Sequence, residues 1–426
     1  MKTRTFYTLC IILFGFFLIP NNSKGQSKNQ LHIDSCFSMA KRNFPLIRQL
    51  GLLEQSKQLS LANVDKTLLP QLSINASATY QSEVTKLPIQ VPNMEVPVLD
   101  KDQYKAYAEL SQSLSDLFLA KDQKNLLATH KAIESQQVEV QLYQLREQVN
   151  QLFFNAMLID AQLAQSKLMQ ADIQHGIQQV EAAIKNGTST KSHLNKLQAE
   201  YLKVQQKDIE LLSNKQAFVN MLAHLIGEPI AQDCQFTAPE LLQLNQALNR
   251  PELKLYELQQ SAMDMQEQVL QNKNKPRFNA FIQGGVGQPA LNMLNPDMRG
   301  FYLTGIRLNW NLAPLYTYKN EKKLLELNKG LIAQQQETFV FNNELSLMQQ
   351  QEDARKYQNL LSSDAEIINL RESVKKASAA QLRNGIISSY DYMNAVSEED
   401  QARQNLIVHK IQWLQSQYKQ QATRGN

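Results

Sequence analysis

The chain has 426 residues, with 44 Lys and Arg against 40 Asp and Glu for a net charge of +4. A balance this near to neutral leaves no electrostatic case for nucleic acid as a partner. Glycine and proline number only 14 and 13, well below their usual frequencies, and their placement says more than their number.

The N-terminus carries Lys2 and Arg4, then an apolar run from Leu9 to Ile19, then Pro20 and the polar stretch Asn21-Asn22-Ser23-Lys24-Gly25. That order matches a secretory signal, with cleavage expected after Gly25. A retained N-terminal anchor is the competing reading, but the run is short of the roughly 20 residues a spanning helix needs. Loss of Lys2, Arg4 and Lys24, with no acid, leaves 41 bases against 40 acids. No later stretch approaches 18 consecutive apolar residues, so the mature chain is expected outside the cytoplasm without a spanning helix. Cys10 leaves with the signal and lacks the small residue expected before a lipidation cysteine. Cys36 and Cys234 remain in an oxidising compartment, as two buried thiols or as a pair.

From there the chain reads as one unit repeated. Pro45 and Pro70 stand as far apart as Pro251 and Pro276, Leu110 and Leu114 match Ile306 and Trp310, and Asn186-Gly187 matches Asn384-Gly385. Each unit reads helix, strand, loop, strand, very long helix, tight turn, helix. The first unit covers 26–226, a linker 227–244, and the second unit 245–426.

The first strand is expected over about 70–82, with Leu72, Ile74, Ala76, Ala78 and Tyr80 on one face and Gln71, Ser73, Asn75, Ser77 and Thr79 on the other. The loop that follows holds Pro88, Pro92 and Pro97 and is expected to be extended and stiff. The returning strand, about 104–116, sets Tyr104, Ala106, Ala108 and Leu110 against Lys105, Tyr107, Glu109 and Ser111. In the second unit the strands fall at about 276–286 and 300–312. Phe278, Ala280 and Ile282 share a face in the former, and Tyr302, Thr304, Ile306, Leu308 and Trp310 in the latter. Segments of about ten residues, apolar on one side and polar on the other, fit outer-membrane barrel strands; a half-buried soluble sheet is the alternative. Tyr80, Tyr104, Tyr302 and Trp310 lie near segment ends, where an aromatic girdle would meet the membrane interface. Four strands cannot close a barrel, and open edges are not tolerated in lipid. Two copies would leave a barrel filled by side chains, so a trimer of twelve strands is the smallest assembly expected to conduct.

Proline is absent between Pro97 and Pro229 and after Pro314, which leaves room for long helices at about 119–185 and 315–383. Leu142, Leu145, Val149, Leu152, Ala156, Ile159 and Leu163 alternate in steps of three and four, and the register resumes at Ile173, Ile177, Val180 and Ile184. A seam of this kind predicts coiled-coil packing. Tight turns follow at 186–189, with Asn186 and Gly187, and at 384–388, with Asn384 and Gly385. The fold class is therefore mainly α with transmembrane β.

No catalytic motif is present. The histidines show no metal-ligand spacing and no Cys-x-x-Cys occurs. Gly284-Gly285-Val286-Gly287 follows a strand but leads to Pro289 instead of a helix, and so fails the dinucleotide fingerprint. Neither an enzyme, a metal nor a cofactor is expected.

The duplicated arrangement resembles the TolC outer-membrane efflux family over nearly the whole mature chain. Leu68-Leu69-Pro70 resembles that family's run into the first strand, and Leu225-Ile226-Gly227 with Pro229 the close of its first repeat. Ala247-Leu248-Asn249-Arg250-Pro251-Glu252-Leu253 resembles the opening of its second repeat, and the two Asn-Gly turns its periplasmic tips. The resemblance implies a homotrimer with a twelve-stranded barrel in the outer membrane of a Gram-negative bacterium and a twelve-helix tunnel through the periplasm. It implies a periplasmic adaptor and an inner-membrane pump as partners, in tripartite efflux or type I secretion. It also implies that 227–244 and both chain ends form a belt, and that loops near 83–102 and 287–299 face outward.

Members of that family close the tunnel at the tips, some with acids six and nine positions after the second tip glycine. Here these positions hold Asp391 and Asn394, and the first-repeat counterparts are His193 and Lys196. One Asp per chain would form a single acidic ring favouring cations. Ser388-x-x-Asp391 also fits a capping box opening the last helix; Asp391→Ala is expected to alter cation block if the ring exists. A periplasmic coiled-coil scaffold or adaptor without a pore is the rival function, and it would not need the amphipathic strands.

Overall fold

The computed structural model describes residues 30–85, 98–231, 234–239 and 247–425. The expected signal segment, the prolines of the first strand loop and part of the linker lie outside the described residues. In chain order the elements are β1 (Gln30–Leu31), α1 (Ile33–Asn43), α2 (Ile47–Thr67), β2 (Gln71–Tyr80), β3 (Asp102–Ser113), α3 (Leu114–Lys185) and α4 (Lys191–Ile226). Then come β4 (Gln235–Phe236), α5 (Pro251–Lys273), β5 (Arg277–Gln288), β6 (Arg299–Asn309), α6 (Ala313–Arg383) and α7 (Ser389–Arg424).

The duplication extends to single residues. The closing helices α4 and α7 each have 36 residues and end on left-handed Gly227 and Gly425. The long helices stop at Asn186 and Asn384 with the same backbone angles, φ −87° and ψ 2°. The units differ mainly in the strand connection, 81–101 in the first and 289–298 in the second. The short strands β1 and β4 occupy corresponding places and pair in parallel, Gln30 with Gln235 and Leu31 with Phe236.

The long helices have 72 and 71 residues, about 108 Å each at 1.5 Å per residue. Both begin before the expected 119 and 315. At α3 the Ser113 side chain accepts from the Asp116 N–H, closing the strand at 113 instead of 116. At α6 Pro314 sits in the first turn, where its missing N–H has no helical acceptor to lose. The seam read along α3 is the buried one: Leu142, Leu145, Val149, Leu152, Ala156, Ile159, Ile173 and Val180 are all inside. Its polar break is also used, because Gln170 Nε2 donates to Asp208 on α4 at 2.5 Å.

The largest core lies midway along α3. Phe153, Phe154, Val149 and Ala156 pack there against Ile33, Cys36 and Ala40 of α1, Leu222 and Ile226 of α4, Phe236 of β4, and Ile411, Leu414 and Tyr418 of α7. Phe153 meets Phe154 and Phe236 edge to face, at 5.8 and 5.3 Å between centroids. Cys36 and Cys234 both lie in this core and form no disulfide. Burial, and then the neighbouring Cys234, push the Cys36 thiol up to about 12. The C-terminal end is tied in, with Asn249 N–H donating to Arg424 O at 2.6 Å. The described parts of the linker, the first described residues from Gln30 on and the end of α7 thus meet at one level of the helical body.

Candidate functional surfaces: the strand sheet and the helix tips

The four long strands form one antiparallel sheet in the order β2-β3-β5-β6. Direct pairs share a face, so register sorts the side chains. Leu72, Leu110, Ile282 and Thr304 form one row, and Ile74, Ala108, Gly284 and Tyr302 the next. On the opposite face Ser73, Glu109, Gln283 and Leu303 align, as do Asn75, Tyr107, Gly285 and Phe301.

Burial is inverted relative to a water-soluble sheet. Ile74 is 82% exposed, Leu72 70%, Ile306 70% and Tyr302 80%, while the polar Gln283 is 7% exposed. Along β3 the even, mostly apolar positions are exposed up to Leu110, and the odd ones are half-buried. The sheet curls around its polar face. Tyr107 of β3 and Phe301 of β6 flank β5, two strand spacings of nearly 10 Å apart in a flat sheet, yet their rings lie 6.4 Å apart. Among the described residues no helix is long and apolar enough to cross a membrane.

The predicted girdle residues fall at both ends of the exposed face. Tyr80 closes β2 opposite Asp102, and Tyr104 pairs with Ala78 and Gln288. Trp310 follows β6 at the helical end, its indole N–H donating to Asn274 O at 3.0 Å. From Tyr302 to Trp310 is about 27 Å along a strand and about 20 Å upright at barrel tilt. Phe118 and Tyr316, over 80% exposed, also stand near the helical end, in the first turns of α3 and α6. Sequence reading missed both because they lie beyond the alternating strand positions; their closeness to the strand ends was the available signal.

At the far end, the turns after α3 and α6 are made possible by Gly187 and Gly385, at φ +71° and +72°, a left-handed conformation with little penalty only for glycine. The two tips share one core. Ile173 and Val180 of α3, Leu197 of α4, and Tyr392, Met393 and Val396 of α7 pack together, with Ala379 and Leu382 of α6 against them. Asp391 is exposed and closes a full capping box. Its carboxylate accepts from the Ser388 hydroxyl at 2.7 Å and the Ser388 N–H at 3.0 Å. These two donors, the hydroxyl first, hold its carboxyl below the usual range. Asn394 is exposed one turn further on. His193 Nδ1 lies 3.2 Å from Ser189 Oγ, and Lys196 reaches over the Tyr390 ring at 6.0 Å, joining α4 to α7.

Behind the tips lies a charged lock that sequence reading missed. Lys375 of α6 bonds Asp172 of α3 at 2.8 Å and Glu399 of α7 at 3.2 Å. Glu399, 2% exposed, also binds Arg403, which reaches Glu372 at 3.1 Å. Tyr392 adds an O–H donated to Asp172 O at 3.0 Å. No periodic signal reveals partners some 200 positions apart. Among the described residues no cluster of three His, Cys, Asp or Glu could hold a metal.

No family model and no curated protein matches the chain in sequence. Solved structures do. The outer membrane protein VceC from Vibrio cholerae matches with a TM-score of 0.65 over 92% of this chain and 96% of that one, at 12% identity. A membrane protein from Pseudomonas aeruginosa matches at 0.68 over 92% and 90%, with 14% identity. The open state of the Neisseria gonorrhoeae MtrE outer membrane channel matches at 0.67 over 92% and 89%, with 12% identity. At these identities the likeness speaks for architecture alone, and on that level this chain has the fold of outer-membrane channels.

Proposed function

We propose that the chain is the outer-membrane exit duct of a tripartite efflux or type I secretion system, working as a homotrimer with a periplasmic adaptor and an inner-membrane pump. The observation that carries the reading is the inverted sheet, which turns its apolar face outward and its polar face inward. Water would penalise such a face, and lipid favours it. A pore-free scaffold has no use for it.

Two further features support the trimer. Strands β2 and β6 each have one neighbour in the sheet, so lipid requires their open edges to be paired. The β6 edge of one copy against the β2 edge of the next is a head-to-tail contact that closes into a ring. Under the same edges stand unpartnered seams. On α6 Leu324, Leu327, Leu331, Phe341, Leu345 and Met348 keep coiled-coil spacing and are at least half exposed, as are Leu52 and Leu59 on α2. The pump and adaptor rest on this architecture together with the family resemblance.

The test is fractionation of cells expressing the protein, followed by single-channel recording of the purified material in planar bilayers. Outer-membrane recovery and stable conductance steps are expected. Recovery in the soluble periplasmic fraction, without conductance, would refute the duct.

A further inference from the structure

The polar face of the sheet is not evenly charged. Its described charged residues are Lys105 and Glu109 on β3, Arg277 on β5, and Arg299 and Arg307 on β6, with none on β2. Arg299 is paired with Asp297 at 3.5 Å in the preceding turn. Glu109 accepts from Gln283 at 2.5 Å and lies 3.7 Å from Arg307. With those acids counted, two positive charges per chain remain in excess.

Aromatic rings hold two of these cations in place. Tyr107 and Phe301 both pair with Gly285. A Cβ there would lie 2.2 Å from Ala106 O, so only glycine lets the strands approach as they do. The two rings converge above it, and Lys105 Nζ sits 5.1 Å from the first and 4.9 Å from the second. A similar device recurs nearer the helices. Phe281 pairs with Gly305, and the Arg307 guanidinium lies 4.6 Å from the Phe281 ring. Lys105 has no carboxylate partner among the described residues. Cation–ring contacts position a charge without neutralising it.

We infer that this face is an anion-attracting stretch of the lumen: Lys105, held on aromatic rings, and Arg277 carry the unpaired excess, Arg307 offsets Glu109, and together they favour negatively charged solutes in the barrel. The inference rests on the duct reading, since it needs the polar face to line a pore. Threefold symmetry would turn each cation into a ring of three, and the remaining excess would act across a water-filled lumen within the screening distance of about 10 Å at 0.1 M salt. The substrate class it points to is small or flexible organic anions.

The experiment compares reversal potentials of single channels under a tenfold KCl gradient, in wild type, Lys105→Gln, Arg307→Gln and the double variant, with Lys105→Arg as a charge-conserving control. Because every variant keeps the same tips, any difference belongs to the sheet. Loss of each cation is expected to lower the chloride-to-potassium permeability ratio, by about fourfold per unit charge, since a charge acting over roughly 10 Å of water weights chloride and potassium about twofold each in opposite senses, while Lys105→Arg leaves it unchanged. Channels that conduct with identical reversal potentials in all variants would overturn the inference and leave the duct standing. Absence of conductance in wild type would overturn the duct and the inference together. A double variant that fails to assemble is replaced by the single ones, each judged by the same shift.

Discussion

Replacing Lys375 by Met removes a side chain of α6 that bonds both α3 and α7 behind the tips. Lys375 is 17% exposed, and it holds Asp172 on α3 and the buried Glu399 on α7 from its own position on α6. Breaking a buried ion pair by deleting one partner costs about 3–5 kcal/mol. Here Glu399 keeps Arg403, and Asp172 is partly solvated, so about 2–3 kcal/mol is the expected loss for the packed arrangement of the tips. At about 1.4 kcal/mol per factor of ten, that shifts the balance between docked and released tips by roughly 30–150-fold. The assay is single-channel recording, with thermal unfolding of the same preparation alongside. More frequent or larger openings are expected in Lys375→Met, with partial restoration in Lys375→Arg. Burial opposes the charge on Lys375, but its bonds to Asp172 and Glu399 outweigh this and raise its pKa. Its contribution is therefore full below the ordinary lysine range and lost only as pH rises through the raised value, so alkali should mimic the substitution. Unchanged gating and melting in Lys375→Met would refute the lock.

Gly176→Ala would place a Cβ 2.7 Å from Cε1 of the buried Tyr392 ring; overpacking of this sort costs about 1–3 kcal/mol and should lower the melting temperature, as calorimetry would register. The Asp391 cap, with its carboxyl held low, should persist above the ordinary carboxylate range and fail only as pH falls through the depressed value. Amide exchange at Ser388 should then stay slow through mildly acidic pH, and early loss of protection would contradict the cap. Leu331→Asp places a charge on the open α6 seam without touching the chain's own core; assembly should fail while the monomer keeps its helicity, as circular dichroism and sedimentation would report together.

The seam from Leu142 to Ile159 was legible because a 3.5-residue period in a proline-free tract has one economical explanation. The same period at Leu324, Leu327 and Leu331 does not say whether its partner lies in the same chain. Only the folded monomer, with that seam uncovered, separates the two. Strand alternation was legible as well, since each apolar row falls on one face. Tyr107, Phe281 and Phe301 on the polar face made no sense from alternation; their reason is Gly285 and Gly305 across the ladder, which becomes visible only with the register. The tip turns were written in Asn-Gly, and Ser388-x-x-Asp391 announced the cap. The lock of Lys375, Asp172 and Glu399 joins residues whose spacing carries no period at all. Helix starts shifted by a few residues because capping at Ser113 and the tolerance for Pro314 in a first turn decide them, not hydrophobicity.

The central claim, that one chain supplies a third of a shared membrane pore, is tested most directly by the mass of the purified mature protein in mild detergent, from light scattering corrected for bound detergent. The account predicts a stable particle of three chains, extracted only with outer membranes. A monomer or dimer soluble without detergent would contradict it.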